Sequence, residues 1–491
     1  MHHHQKQELA RLAADAMRER GLKPEFSKDA LRQLERIAGP GNEAGDGIDD
    51  LTPLLWCSID NDDSRDLDQL TVAEQLPGGA VRIRVAVADV DTLVEKDTPI
   101  DQHARTNTTS VYTSARIFPM LPENLSTDWT SLNPGQARLA IVTEMRFAAD
   151  GTLEESLIHR ARVFNHAQLA YDGVAAWIDG QAPLPRAAAA VVGLDEQLRL
   201  QDRVAQQLRA RRRERGALEF QTFQPKAVFE DDRVVEIRQQ PQNRARQLIE
   251  EFMIATNGVA ATYLAASQRA SLRRVVRAPE RWARIVEVAA EYGTTLPTQP
   301  DSLALETFLA AQRRRDPLRF PDLSLVIVKL MGSGEYVVAA PDREPVGHFG
   351  LAVRDYSHST APNRRFPDLI TQRLLKSALR RANAPYAHAE LDQLAQHCTQ
   401  QENAANKVER QMRKSEAALL LQQQTGREFD AVVTGVAKGN RWVRIFDPPA
   451  EGLLRGQLDV RVGDKLRVRL VSTDVERGFI DFEVASAPVR R

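Results

Sequence analysis

At 491 residues the chain has room for about three domains of roughly 150 residues each. Its 42% apolar and 27% charged residues, mean hydropathy of −0.40 and lack of an eighteen-residue apolar run exclude bilayer-spanning and disordered classes. The 66 Lys and Arg nearly cancel the 67 Asp and Glu, so any nucleic-acid function must be sought in local charge rather than in net charge. Acid concentrates in residues 43–68 and arginine at 203–215, 269–281, 311–319 and 364–381, a pattern that suits a basic path leading to an acidic site. Two distant cysteines, Cys57 and Cys398, exclude a disulfide framework and read as small buried hydrophobes. No apolar leader follows the His2-His3-His4 run, native or tag remnant, so a cytoplasmic protein is expected.

Residues 6–22 read as an amphipathic helix with Leu9, Leu12, Ala13 and Met17 on one stripe, and Ser27 opens a second with Leu31, Leu34 and Ile37 inward. The pair is a helical module over 1–50, either a helix-turn-helix or winged-helix nucleic-acid binder or plain helical packing. After a Gly- and Asp-rich linker over 39–50 the pattern turns to strands. The run Ser58-Ile59-Asp60-Asn61-Asp62-Asp63-Ser64-Arg65-Asp66-Leu67-Asp68-Gln69 places five carboxylates in nine positions. Such crowding needs water, arginine or a hard cation, and Mg2+ is expected, with Mn2+ as a substitute. An EF-hand loop is excluded, because counting from Asp60 puts Arg65 at the required glycine and no glutamate at the twelfth position.

Alternation over Val81–Asp89 after the Pro77-Gly78-Gly79 turn predicts a hairpin of residues 66–75 with 81–90. On an extended backbone Asp66 and Asp68 share a face opposite Leu67 and Gln69, and a turn between Ile59 and Ser64 would bring Asp60 to the same ion. Residues 104–132, with Tyr112 and Phe118-Pro119-Met120-Leu121-Pro122, form a long irregular segment of the kind that is often functional.

Further on, a strand is predicted over 139–147, then a helix with the basic face Arg203, Arg209, Arg211, Arg212, Arg213 and Arg215, and strands over 220–229 and 233–237. Residues 246–257 form a strong helix on which adjacent Glu250 and Glu251 point about 100° apart, which suits a structural or arginine-pairing role rather than a facing acid pair. A helix is expected over 301–315, a strand over 324–328, and helices over 368–381 and 388–424, the last carrying Glu402. Ser, His and Asp recur near 357–368 without a nucleophile elbow, whereas Arg364-Arg365 after Pro362 presents guanidinium forks suited to phosphate. Short alternating strands over 429–436, 442–446, 465–471 and 479–484 predict a small antiparallel barrel of the OB class over 426–491. Its Arg441, Trp442, Arg444 and Phe446 suit stacking and phosphate contact with a single strand, or core packing. The fold class is thus multidomain α+β: a helical module (1–50), a large mixed α/β domain (51–425) and the barrel.

Together these motifs resemble the RNB family, hydrolytic exoribonucleases of the ribonuclease II and ribonuclease R type. The resemblance rests on the acidic run, Val87-Ala88-Asp89-Val90, Ser110-Val111-Tyr112, Pro119-Met120-Leu121-Pro122, Leu248-Ile249-Glu250-Glu251-Phe252-Met253 and Pro362-Asn363-Arg364-Arg365-Phe366-Pro367-Asp368-Leu369. It implies an RNB catalytic domain followed by an S1-type barrel, and 3′-to-5′ degradation of single-stranded RNA to nucleoside 5′-monophosphates at a Mg2+ site, by a monomer with no organic cofactor. By the same resemblance Asp60, Asp66, Asp68 and Gln69 hold metal, Asp68 and Arg364 are catalytic, Tyr112 stacks on the terminal base and Glu402 packs against a terminal base; Trp442 and Arg444 of the barrel face are expected to contact RNA.

Three departures qualify the resemblance. Gln69 stands where the family has a fourth aspartate, and Asp62 or Asp63 is the available compensation. Helices replace the family's two N-terminal cold-shock barrels. The region 274–279 lacks the second base-stacking aromatic. A catalytically impaired RNA-binding adaptor and a DNA-directed nuclease are the alternatives.

Overall fold

The computed structural model describes residues 5–43, 47–221, 225–230, 232–239, 242–317, 319–340, 346–437, 439–456, 459–460 and 464–486. The His2-His3-His4 run, Lys438 and Gly463 lie outside the described residues.

Apolar runs that alternate only weakly build the centre of the protein, a seven-stranded mixed sheet. Its order is Ile48–Asp50, Leu153–Phe164, Ala137–Phe147, Val81–Ala88, Gln69–Gln75, Cys57–Asp60 and Ala167–Ala170. The middle is antiparallel, and the two edge strands pair in parallel. Val81–Ala88 is buried at all but Arg82, as a strand covered on both faces must be. The expected hairpin is present, Gln69–Gln75 pairing with Val81–Ala88. The strand Leu153–Phe164 has no counterpart in the sequence reading; its first half is exposed and rich in glutamate.

Helix Leu194–Glu214 docks on this sheet through hydrogen bonds rather than apolar contact alone. Thr71 Oγ1 donates to Gln201 Oε1 at 2.7 Å, and the Ala73 amide donates to Gln197 Oε1 at 2.7 Å. The predicted basic face of this helix is largely neutralised: Arg209 pairs with Glu219 at 2.6 Å, and Arg212 grips Glu251 through two bonds of 2.9 and 2.6 Å. Arg313 also pairs with Glu219. The arginine clusters at 203–215 and 311–319 therefore serve helix packing more than a path for polyanions.

Residues 324–328 are helical, not extended. Phe320–Met331 starts with Pro321 in its first turn and buries Phe320, Leu323, Ile327 and Met331 at helical spacing beside Trp282 and Phe308. A short β-branched run carries both periods, and this second apolar cluster selects the helix.

The N-terminal helices dock separately. Gln5–Glu19 buries Leu9, Ala13 and Met17 in one cluster with Val408 and Met412 of the helix His388–Leu421. Lys28–Leu34, capped by Ser27, presents Gln33, whose Oε1 accepts from the Ile100 amide at 2.9 Å. The stripe of the first helix is spent on the body of the protein; of the second, Leu34 and Ile37 pack partly against the core while Leu31, expected inward, is 44% exposed, Ala30 being the buried residue of that helix. His388–Leu421 has 34 residues and spans about 50 Å, touching the N-terminal helix, the 225–239 hairpin and the C-terminal barrel.

That barrel is closed, in the order Glu428–Ala437, Asn440–Ile445, Ala450–Leu454, Phe479–Ser486 and Lys465–Asp474. Ala450–Leu454 is the strand that sequence periodicity left out; Gly452 in its middle sits where a Cβ would lie 2.5 Å from the Ile480 carbonyl oxygen.

Candidate active site

The acidic run is shaped by the ends of two adjacent strands. Cys57–Asp60 stops at Asp60, whose Oδ1 accepts the Asn61 amide at 2.7 Å, and a turn closes as the Ser64 amide donates to the Asn61 carbonyl at 3.1 Å. The chain returns through Asp66, Leu67 and Asp68. Leu67 is buried, its amide donating to Ser131 Oγ at 2.9 Å, while the Ala88 amide donates to the Asp68 carbonyl at 3.0 Å. Asp66 and Asp68 thus lie on the side opposite Leu67, as alternation implies. Gln69 does not follow Leu67: regular strand begins only at Gln69, and its side chain lines the same cavity as the aspartates.

The facing wall is the turn before helix Phe366–Leu379. Amides of Arg364 and Arg365 donate to the Ala361 carbonyl at 3.2 and 2.9 Å, and buried Asp368 in the first helical turn accepts from the Ala361 amide at 2.9 Å and Arg365 Nη2 at 2.7 Å. This turn meets the acids directly. Asp68 Oδ1 accepts from the Asn363 amide at 3.0 Å, Asp68 Oδ2 from Arg364 Nε at 3.2 Å, and Gln69 Nε2 donates to the Thr360 carbonyl at 2.5 Å. Between the walls lies a cavity of about 620 Å³ that Asp60, Asp66, Asp68, Gln69, Tyr112 and Arg364 all line. Tyr112 hydroxyl donates to Asp66 Oδ2 at 3.1 Å.

Burial outweighs the pull of the cations in this cavity, which Arg246, Arg364 and Arg365 line beside the acids. Burial pushes the Asp68 carboxyl up to about 7, even though Arg364 pulls the other way, and burial also raises Asp60. A hard-oxygen set that disfavours its own ionisation is one that a cation stabilises. Among the described residues no group of three or more His, Cys, Asp or Glu is gathered closely enough to hold an ion alone. An ion placed here would need waters or substrate phosphate oxygens to complete its ligand set, a requirement that Mg2+ tolerates. Gln69, with its Nε2 spent on Thr360, has Oε1 left to offer.

Three other predicted residues sit elsewhere. Glu402 is paired with Arg274, whose guanidinium lies 4.8 Å from the Tyr336 ring centroid, in the region where a second stacking aromatic is missing. Trp442 and Arg444 are two apart on one barrel strand; Arg444 pairs with Asp322 of Phe320–Met331 at the junction between barrel and body, and Trp442 packs over Gly435. Asp63 is held by Lys226 at 3.1 Å. His358 is kept neutral by burial and bonds the Tyr336 hydroxyl at 2.8 Å, so the Ser, His and Asp near it form no nucleophilic triad.

Several cavity residues escaped the sequence reading. Tyr171 opens helix Tyr171–Ile178, and Arg246 lies over its ring at 4.4 Å while donating to Asn61 Oδ1 at 2.8 Å. Glu250 turns to the cavity although Glu251 takes the arginine-pairing role predicted for both. The signal was present: Arg246, Glu250, Met253 and Asn257 recur at helical spacing on helix Arg244–Ala266, and all four line the cavity.

Known proteins resemble this chain in sequence and fold. The RNB domain model matches residues 48–381, and the RNase II-type exonuclease C-terminal S1 domain model matches residues 427–485. Ribonuclease R of Escherichia coli (strain K12) is 32% identical over 483 residues, covering 91% of this chain and 58% of that protein. Ribonuclease R of Vibrio cholerae is 31% identical over 481 residues, covering 90% and 57%. The chain therefore spans under two thirds of the length of these relatives. In fold it resembles Mycoplasma genitalium RNase R in complex with ribose methylated single-stranded RNA, with a TM-score of 0.85 at 21% identity over 96% of this chain and 77% of that one. Match and architecture agree over both modules: the chain belongs to the RNB family, with a C-terminal S1 domain of the RNase II type.

Proposed function

We propose that the chain is a hydrolytic exoribonuclease that degrades single-stranded RNA from its 3′ end to nucleoside 5′-monophosphates, with Mg2+ or Mn2+ at the acidic cavity. The observation that carries this reading is the convergence of Asp60, Asp66, Asp68 and Arg364 on one cavity beside Tyr112. Relatives named Ribonuclease R, and related structures holding single- and double-stranded RNA, supply the substrate class.

The chain's own groups divide the work. Arg364 Nε is bonded to Asp68 at the cavity wall, so its guanidinium is held where a phosphate would meet its remaining donors. Tyr112 offers a ring face to the terminal base while its hydroxyl orients Asp66. Asp68, fixed through Asn363 and Arg364, and Asp60, fixed through Asn61, are presented as metal ligands with Gln69 Oε1. Mg2+ held by these residues would supply an activated water and charge neutralisation at the leaving oxygen. Glu402, tied to Arg274, packs against a terminal base, and Trp442 and Arg444 on the barrel contact the strand further along. The enzyme works as a monomer without an organic cofactor.

Incubation of 5′-labelled single-stranded RNA with the protein and Mg2+ tests this reading. Mononucleotides and a short labelled end product are expected. RNA left intact with every divalent ion tried, or shortened from its labelled end, overturns it.

A further inference from the structure

Helix His388–Leu421 carries glutamates at 402, 409 and 416. Seven residues are about 20° short of two full turns, so the three lie along one stripe at intervals of about 10 Å. Glu402 is taken up by Arg274. The other two reach a single short element: Glu409 Oε1 accepts the Tyr112 amide at 2.9 Å, and Glu416 Oε2 accepts the Ser114 hydroxyl at 3.0 Å.

That element is the hairpin of Val111–Tyr112 with Ile117–Phe118, two residues per strand. Strands this short do not hold a register by themselves. Val111 and Phe118 give it an apolar root in the cluster that contains Ala405, Val408 and Met412 of the same helix. At its base the Ser110 amide donates to the carbonyl of Arg364 at 2.9 Å, so the hairpin and the phosphate-facing arginine share a backbone bond. Apolar burial alone would fix the hairpin's distance from the helix but not its sliding along it. The two carboxyl groups, seven residues apart, fix its position along the helix, beside the Ser110 bond to Arg364 and the bond that Ser114 Oγ accepts from the Ala227 amide at 3.2 Å. A carboxylate accepting a backbone N–H is a charge-assisted bond, among the stronger ones available.

The chain of contacts ends at the acids. Tyr112 Oη lies 3.1 Å from Asp66 Oδ2, and both line the cavity with Arg364. A shift of the hairpin along the helix would therefore move the tyrosine ring and release Asp66 together. Resting on the exoribonuclease reading above, we infer that Glu409 and Glu416 are positioning residues: they clamp the 111–118 hairpin to the long helix and thereby hold Tyr112 against Asp66 and the end of the RNA. Neither touches the acidic cavity, and each acts through Tyr112.

A double-mutant cycle separates this from a merely structural role. Glu409→Ala should lower kcat/KM on single-stranded RNA about ten- to a hundredfold, the scale on which small misplacements act, with little change in Tm. In a Tyr112→Ala background the same substitution should change kcat/KM less than about twofold, since the residue it acts through is gone. Glu409→Gln keeps an acceptor for the amide and should restore most of the loss; Glu416→Gln should do the same relative to Glu416→Ala. Hydrogen exchange at the Tyr112 amide gives a readout independent of turnover: fast in Glu409→Ala, slow in the parent and in Glu409→Gln. An active parent with equal effects in both backgrounds, or an unchanged Tyr112 exchange rate in Glu409→Ala, overturns the inference. RNA left intact by the parent overturns the exoribonuclease reading itself, and a Tyr112 amide that still exchanges faster in Glu409→Ala marks that failure as separate from a failure of the clamp.

Discussion

Two groups of aspartates lie at neighbouring ends of the same hairpin, and they are treated oppositely. Asp89 follows the strand Val81–Ala88; Asp68 precedes its partner Gln69–Gln75. Both are buried. Asp89 is met by Lys376 at 2.8 Å and Arg160 at 2.8 Å, while Arg373 answers Asp91 and Asp101 at 2.8 Å each. Burial works to raise the Asp89 carboxyl, but Lys376 and Arg160 outweigh it and hold it below the usual range. Asp68 has one arginine and two acidic neighbours, and rises to about 7. Buried acids whose cations are built into the fold are structural; buried acids left short of cations are where a ligand is to be expected.

The sharpest way to break that contrast is to neutralise one member of each group. Asp68→Asn should lower RNA hydrolysis on the order of 10³-fold or more, a loss like that of a charge-stabilising group, while single-stranded RNA binding, measured by fluorescence anisotropy, and metal-free Tm stay close to the parent's. Asp89→Asn should do the reverse. It takes from Lys376 and Arg160 the carboxylate they share and leaves them Asp91 at 2.9 Å and Glu43 at 2.7 Å, a loss of about 1.5–3 kcal/mol, visible as a fall in urea midpoint, with hydrolysis per folded molecule little changed. Equal stability losses for the two would remove the distinction.

The contrast also explains what was legible in the sequence. The hairpin, the helix around 246–257 and the barrel strands over 429–436 and 465–471 were readable because their periodicity is local. So was the site's acidic half, since Asp60, Asp66 and Asp68 come from one stretch. The compensating half was not. Arg364 was identified from its turn, but nothing in the order of residues says that Arg212 is spent on Glu251, or that Arg160, Lys376 and Arg373 are spent on Asp89, Asp91 and Asp101; those pairs span 39 to 287 positions. Charge clusters read along the chain overstated the basic path for that reason. Glu250 was set aside with Glu251 because they are adjacent, yet adjacency on a helix is what sends one to the core and the other to the cavity. The misread segment at 324–328 was short, apolar and β-branched, so only its tertiary partners could decide its period.

A third carboxyl extends the comparison to stability. Glu416 is buried, its Oε1 lacks a partner, and burial pushes its carboxyl up to about 7, with Ser114 and Arg413 acting against that rise. Because the folded value lies above the unfolded one, the folded state binds the proton more tightly. Stability from this group is therefore fullest below the unfolded value near 4.5 and is lost as pH rises through about 7. Between pH 5 and 8 the loss should be on the order of 3 kcal/mol. Glu416→Gln should flatten that segment of the urea-midpoint profile and leave the variant more stable than the parent at pH 8; parallel profiles would mean that the carboxyl is not shielded as the packing implies.

The smallest expected effect bears on the residue that makes the acidic cavity unusual. Gln69 donates to the Thr360 carbonyl and so ties the strand carrying the acids to the turn carrying Arg364. Gln69→Asp shortens the side chain, removes that donor and adds a carboxylate to the four, Asp60, Asp66, Asp68 and Glu250, that already line the cavity. In EDTA the variant should lose about 1 kcal/mol for the broken bond, with Tm falling accordingly. In Mg2+ the added charge should pull the other way: the half-saturating concentration for hydrolysis drops severalfold, and Tm rises with Mg2+ more steeply than in the parent. If the loss in EDTA appears and the Mg2+ dependence does not change, Gln69 is a tether between the two walls and its Oε1 is no ligand.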